Sequence, residues 1–235
     1  MDFQHLITRL KRWVHVVARS LRDALSRQQF CKKRPAYFMP YNIQVKQPFT
    51  ASATLEQKKQ NLRLAAERIY RFVVMPGEVF SFWRTVGNPN TKAFAASRGI
   101  RGGVLQLERG GGLCQASGII HHLSLLAGLE VVERYNHSKD LYTEETRFCP
   151  LGSDATVAYG YRDLRVRNTT ASPLRFELQV HDDHFEGWLT SMKPLEPRDI
   201  VFERTDRSDG ILTARVIDRA TGRIVSESEY ERLEH

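Results

Sequence analysis

A lone cysteine sits where three glycines give way to an apolar helical pattern, in Arg109-Gly-Gly-Gly-Leu-Cys-Gln-Ala-Ser117, and a histidine follows soon after in Tyr135-Asn-His-Ser138. The first N–H groups of a helix have no intrahelical partner and leave that end partly positive, which favours the anionic, reactive form of a thiol. Cys114 is therefore a candidate nucleophile and His137 its candidate base. Asp154 is a candidate third member that orients the histidine; its other reading is a cap on the turn at Ser153. Gly110, Gly111 and Gly112 bring backbone N–H groups close to a ligand or an oxyanion, and Gln115 in the first helical turn is a further donor. The bland reading of Cys114 is a buried cysteine acting as a small hydrophobe at a tight turn.

The elements that must position these residues follow from periodicity. A helix over Gln115–Ala127 runs outward by about 20 Å at 1.5 Å per residue. Gly128 suits its C-terminal reversal, and a strand over Leu129–Arg134 returns about 20 Å. This path delivers His137 back toward Cys114. Upstream, Thr54-Leu-Glu-Gln57 reads as a capping box opening a helix to about Arg71, with Leu62, Ala65, Ala66 and Ile69 on its buried side. Residues 30–53 read as irregular because Pro35, Pro40 and Pro48 interrupt them. After the turn in Met75-Pro-Gly-Glu78 comes an aromatic, strand-like run to Trp83, and residues 84–109 read as loop with short elements, among them a strand at Val104–Leu107. Beyond Asp154 the pattern is β-rich: Ala155–Tyr161, Leu164–Asn168, a hairpin of Leu174–His181 with Phe185–Ser191, and a second of Leu212–Asp218 with Arg223–Glu229. The sum is an α+β fold, with helices early, one central helix bearing the motif, and an antiparallel sheet late.

Charge is distributed unevenly. The chain has a net charge of +8, of which nine basic and two acidic residues place +7 in residues 1–34. The rest is nearly neutral, so nucleic-acid binding by the main domain is not expected. Residues 3–25 carry apolar side chains at helical spacing with a basic opposite face. Two readings stay open: the apolar stripe docks on the body of the protein and the arginines are solvated, or residues 1–27 lie on an anionic membrane surface. We divide the chain into this amphipathic helix (1–34), one α+β domain (35–232) and a tag-like remnant (233–235). No apolar run is long enough to span a bilayer and no signal-peptide pattern opens the chain. The expected location is the cytoplasm; the second reading of residues 1–27 would add peripheral attachment to the inner face of the membrane. Three cysteines, Cys31, Cys114 and Cys149, form no paired spacing and do not suggest a disulfide framework.

Several separated motifs resemble one family. Pro76-Gly-Glu-Val-Phe-Ser-Phe82, Gly110-Gly-Gly-Leu-Cys-Gln115, Leu126-Ala-Gly-Leu129, Glu133-Arg134 with His137, and Gly152-Ser-Asp-Ala-Thr156 stand in the order found in the VanW family. That family is associated with vancomycin-resistance gene clusters, and the resemblance implies a link to bacterial peptidoglycan, with a cell-wall peptide or its precursor as partner. The order cysteine, histidine, aspartate is also similar to that of papain-like and transglutaminase-like thiol enzymes, although the spacing here is shorter.

Two functions are then open. One is a thiol-dependent amidase, peptidase or transpeptidase on cell-wall peptides, with Cys114, His137 and Asp154 as machinery. The other is a non-catalytic module that binds such peptides, walled by aromatic residues including Trp83. Arg134 is a candidate for a substrate carboxylate, or else an internal ion pair with a glutamate; Glu78 is the charged member of its own motif. His121 lies seven residues from Cys114, about 10 Å along the helix axis, too far to share an ion unaided. No metal or cofactor is expected.

Overall fold

The computed structural model of the chain describes residues 3–101, 104–140, 147 and 149–232. The tag-like residues 233–235 lie outside these. Four helices are described: α1 Phe3–Leu25, α2 Leu55–Tyr70, the short α3 Phe82–Val86, and α4 Leu113–Leu126. Strands fill nearly half of the remainder, and the fold is α+β.

Helix α4 is the centre of the fold. Ala116, Ile119, Ile120 and Leu123 have no exposed surface, as expected of a helix that is apolar on nearly every side. It begins because Gly110 (φ +74°) and Gly112 (φ +92°) adopt left-handed backbone. It ends in a Schellman closure: Gly128 N–H donates to Leu125 O and Leu129 N–H to Ser124 O. The chain then returns along the strand Glu130–Glu133, so the outward-and-back path expected from sequence is present.

Helices α2 and α4 pack on an antiparallel sheet of three strands in the order Leu174–Val180, His184–Ser191, Tyr41–Pro48. Gly187 lets the backbone approach α4, since a Cβ there would collide with Ile119. The strands Val79–Ser81, Arg165–Arg167 and Glu130–Glu133 form a second sheet. A four-stranded sheet carries Ile200–Asp206, Ile211–Asp218, Arg223–Arg232 and, in parallel with the last, Lys139–Asp140. The hairpin Ala96–Arg101/Val104–Arg109 leads into the glycine loop.

Four expectations are corrected. Residues 30–53 are not irregular throughout: Tyr41–Pro48 is a strand whose Ile43, Val45 and Gln47 point inward. Among the described residues it has a partner along one edge only, so Pro40 before it and Pro48 at its end do no harm. The Thr54 capping box does not form. Its hydroxyl instead accepts from Arg98 N–H at 3.1 Å. The run Ala155–Tyr161 is not a strand. Its backbone is drawn off singly, with Ala155 O accepting from the Ser117 hydroxyl (2.6 Å) and Thr156 N–H donating to Tyr135 O (2.6 Å). A strand at Ile200–Asp206 was not expected.

The fourth correction concerns α1, which docks by its polar side. Arg19 pairs with Glu133 at 2.5 Å, and Asp23 accepts from both Arg165 (2.6 and 3.0 Å) and Arg84 (3.1 Å). The His15 ring lies tilted against Tyr161. On the opposite side, Leu10, Trp13, Val14, Leu21 and Leu25 are exposed, Leu25 by 82%. The most exposed apolar side chains therefore face away from the body, and Arg19 and Asp23 make the docking ion pairs, contrary to the reading in which the apolar stripe docks. Among the described residues no helix is long and apolar enough to cross a membrane.

Candidate functional site

Cys114 occupies the first turn of α4, where the left-handed Gly112 opens the helix. The loop before it is pinned from behind by buried Asn61 of α2, whose amide donates to Gly111 O (3.0 Å) and Ala95 O (3.1 Å) and accepts from Ala95 N–H (2.8 Å). Lys58, one turn earlier on α2, lies against the same loop, because a Cβ at Gly112 would collide with its side chain.

The returning strand ends at Glu133, and the next four residues bring His137 close enough to Cys114 for the two side chains to interact, while the Cys114 thiol lies 3.9 Å from Val157 O. His137 Nδ1 pairs with Asp154 Oδ2 at 2.7 Å, and the same oxygen accepts the His137 backbone N–H at 2.8 Å. Nδ1 is thereby occupied, which leaves Nε2 for the sulfur. The other carboxylate oxygen of Asp154 accepts from Arg134 Nη2 (2.9 Å) and from the Tyr230 hydroxyl (2.5 Å). Arg134 is further held by Asp154 O, Gly152 O and the Ser228 hydroxyl.

The electrostatics follow from this geometry. Burial alone lowers the His137 pKa, but its hydrogen bond to Asp154, its interaction with Cys114 and the field of both groups push it up to about 10. Burial raises Asp154, yet the His137 hydrogen bond and the Arg134 charge hold it well below the ordinary carboxylate value. Lys58 is drawn down to about 8 by burial, against the opposing field of Cys114. The other two thiols are the opposite of reactive: burial pushes Cys31 up to about 12 and Cys149 up to about 11. An imidazolium next to a thiol, with its far nitrogen fixed by a carboxylate, is an arrangement able to activate sulfur and to donate a proton.

The site opens into a cavity of about 820 Å³ lined by, among others, Cys114, Gln115, His137, Asp154, Gly110 and Gly112. Trp83 lines it too, its indole N–H donating to Arg162 O at 2.8 Å. Gly111 packs behind the loop, against Ser97. Arg134 is almost wholly buried under Asp154. Its neighbour Glu133 points the other way, toward Arg19 and Arg165, as alternate residues of a strand do. Glu78 is not brought to the cavity: it pairs with Arg34 (2.6 and 3.0 Å) and accepts Met75 N–H (3.0 Å). His121 is buried, its Nδ1 bound to Ser153 O at 2.8 Å. Sequence reasoning missed Lys58, Asn61, Gln47, Ser228 and Tyr230. Only Asn61 left a signal, as a polar residue within the buried register Leu62, Ala65, Ile69.

Comparison with known proteins agrees with the motif pattern. The family model described as VanW like protein matches residues 57–189, more than half of the chain. The chain belongs to the VanW-like family. Among curated VanW-like relatives, the Vancomycin B-type resistance protein VanW of Enterococcus faecalis is 32% identical over 133 residues, covering 56% of this chain and 48% of that protein. The uncharacterized protein YoaR of Bacillus subtilis is 35% identical over 120 residues, covering 51% of this chain and 38% of that protein. The chain thus spans about half or less of the length of these relatives. No solved structure matches it.

Proposed function

We propose that this VanW-like chain is a thiol-dependent acyl-transfer enzyme acting on cell-wall peptides. The observation that carries the reading is the placement of His137 between the Cys114 thiol and the Asp154 carboxylate. In this reading the Cys114 thiolate attacks a peptide carbonyl carbon, and the carbonyl electrons move onto oxygen. The partly positive N-terminus of α4 stabilises the developing oxyanion. As the C–N bond breaks, His137 gives its proton to the departing amine and a thioester on Cys114 remains. Water or a second amine, deprotonated by the now neutral His137, then takes the acyl group and restores the thiol. Asp154 keeps the imidazole oriented throughout, with Arg134 and Tyr230 holding Asp154. The peptidoglycan assignment is supported by the name of the E. faecalis relative, a vancomycin-resistance protein.

The test is chemical and needs no substrate. Iodoacetamide at pH 7 is expected to label Cys114 alone of the three thiols, and His137→Ala to slow that labelling about tenfold or more. Labelling of Cys114 no faster than of Cys149, or indifferent to His137→Ala, overturns the reading.

The outward stripe of α1 bears on location. Leu10, Val14, Leu21 and Leu25 form one exposed apolar strip, and exposed Arg9, Lys11, Arg22 and Arg27 flank it. That combination complements an anionic membrane surface, and the proposal includes peripheral attachment there, at the cytoplasmic face.

A further inference from the structure

Two side chains of the cavity wall are out of keeping with a protein interior. Gln115 (4% exposed) and Gln47 (1% exposed) are buried at both ends of their amides, and neither Oε1 nor Nε2 of either has a hydrogen-bond partner. Buried polar atoms are normally satisfied, and here four go without on one surface. Both residues line the cavity that holds Cys114.

Their positions are set by the packing of α4 on the sheet. Ile119 and Leu123 of α4 lie over Gly187, which is opposite Val45. One helical turn toward the start of α4 is Gln115, and two residues further along the strand, on the same inward face, is Gln47. Gln47 lies opposite Phe185, whose ring stacks with Phe49, and Lys58 reaches over that Phe49 ring. The two amides therefore share the wall that runs from the nucleophile toward α2.

We propose that Gln47 and Gln115 form a subsite that reads the backbone amides of a peptide held beside Cys114. A primary amide presents one carbonyl acceptor and an N–H donor side by side. One residue of an extended peptide presents its own N–H and C=O on the same edge, the complementary pair, so each glutamine can satisfy both of its ends on one such residue. An anionic group, such as a phosphate or carboxylate, has only acceptors and leaves both glutamine carbonyls unpaired. The ligand class is thus a peptide segment with free N–H groups. The inference deepens the acyl-transfer reading by naming what its substrate presents next to the scissile bond.

The test separates the two. Calorimetry on the Cys114→Ala protein, which cannot turn over, would measure an acetylated tetrapeptide of the peptidoglycan stem against its depsipeptide analogue, in which an ester oxygen replaces one amide N–H. The tetrapeptide is expected to bind about tenfold or more tightly than the depsipeptide, and Gln47→Leu or Gln115→Leu to weaken it by a similar factor. In the double leucine variant the two ligands should bind alike. Leucine variants that retain full affinity, equal binding of the two ligands to the glutamine-bearing protein, or no binding of the tetrapeptide to it at all, each overturn the subsite. The ligand comparison stands without the leucine variants if those fail to fold. Glutamine-dependent binding together with an unreactive Cys114 in the iodoacetamide assay would leave the subsite standing and remove the acyl-transfer reading.

Discussion

Replacing Asp154 with asparagine keeps the shape of the carboxylate and removes its charge, with calculable consequences for His137. The imidazole stands at about 10 in the folded protein against roughly 6.5 in an unfolded chain. That gap of about 3.5 units corresponds to an interaction on the order of 5 kcal/mol at about 1.4 kcal/mol per unit. Asp154 and Cys114 share it, with the hydrogen bond to Asp154 the larger favourable contribution. Asp154→Asn should therefore lower the His137 pKa by at least about 2 units, and Cys114→Ser on top of it should bring the imidazole to or below about 6.5, because burial then acts unopposed. Arg134 would also lose its buried partner, so we expect a loss of global stability of about 3–5 kcal/mol. The pH dependence carries a sign that can be checked. A raised histidine stabilises fully below its unfolded value of about 6.5, and that contribution is lost as pH rises toward about 10. Wild-type stability should decline across this alkaline window, and the decline should be largely absent in Asp154→Asn. Nuclear magnetic resonance titration of labelled histidine and urea unfolding at pH 6 and pH 9 read the two quantities. A wild-type His137 titrating near 6.5, or an Asp154→Asn protein in which it remains above 9, would refute the reasoning.

Two further outcomes are expected. Burial lowers His121 to about 3 and His122 to about 4, so the unfolded chain takes up protons from about pH 6.5 downward while the folded one does not. Stability should fall steeply between pH 6 and 4 in circular dichroism titrations, and His122→Phe, which removes one such group beside Phe202, should move the midpoint to lower pH. For α1, sedimentation with anionic vesicles should retain the protein, neutral vesicles should not, and Leu10→Glu with Leu21→Glu should abolish retention; retention that survives both changes would exclude the exposed stripe as the contact.

Much of the architecture was legible because glycine and apolar periodicity mark it locally. Gly110, Gly112 and Gly128 delimit α4, and the later hairpins alternate cleanly around polar turns. The strand Tyr41–Pro48 was hidden by its prolines and by Gln47, a polar residue at an inward position where a core strand ordinarily shows an apolar one. Ala155–Tyr161 has strand composition but no neighbouring strand to complete a ladder, and long-range pairing is not written in a local pattern. The same limit governs the site. Cys114, His137 and Asp154 lie within 41 residues and announce themselves by type, whereas Tyr230 reaches Asp154 across a separation of 76 residues. The direction in which α1 would face was likewise open, since an amphipathic pattern identifies two sides without saying which one meets the body.

The stretch shared with the family, residues 57–189, contains the cysteine, the histidine and the aspartate but not all that surrounds them. Gln47 comes from before it, and the hydroxyls of Ser228 and Tyr230 that hold Arg134 and Asp154 come from after it. Excising the shared stretch as an independent module would thus strip the buried guanidinium–carboxylate pair of two hydroxyls and open one wall of the cavity to solvent. The cysteine, histidine and aspartate lie inside the stretch the family model matches, whereas one wall of the cavity and the hydroxyls that hold Arg134 and Asp154 come from outside it.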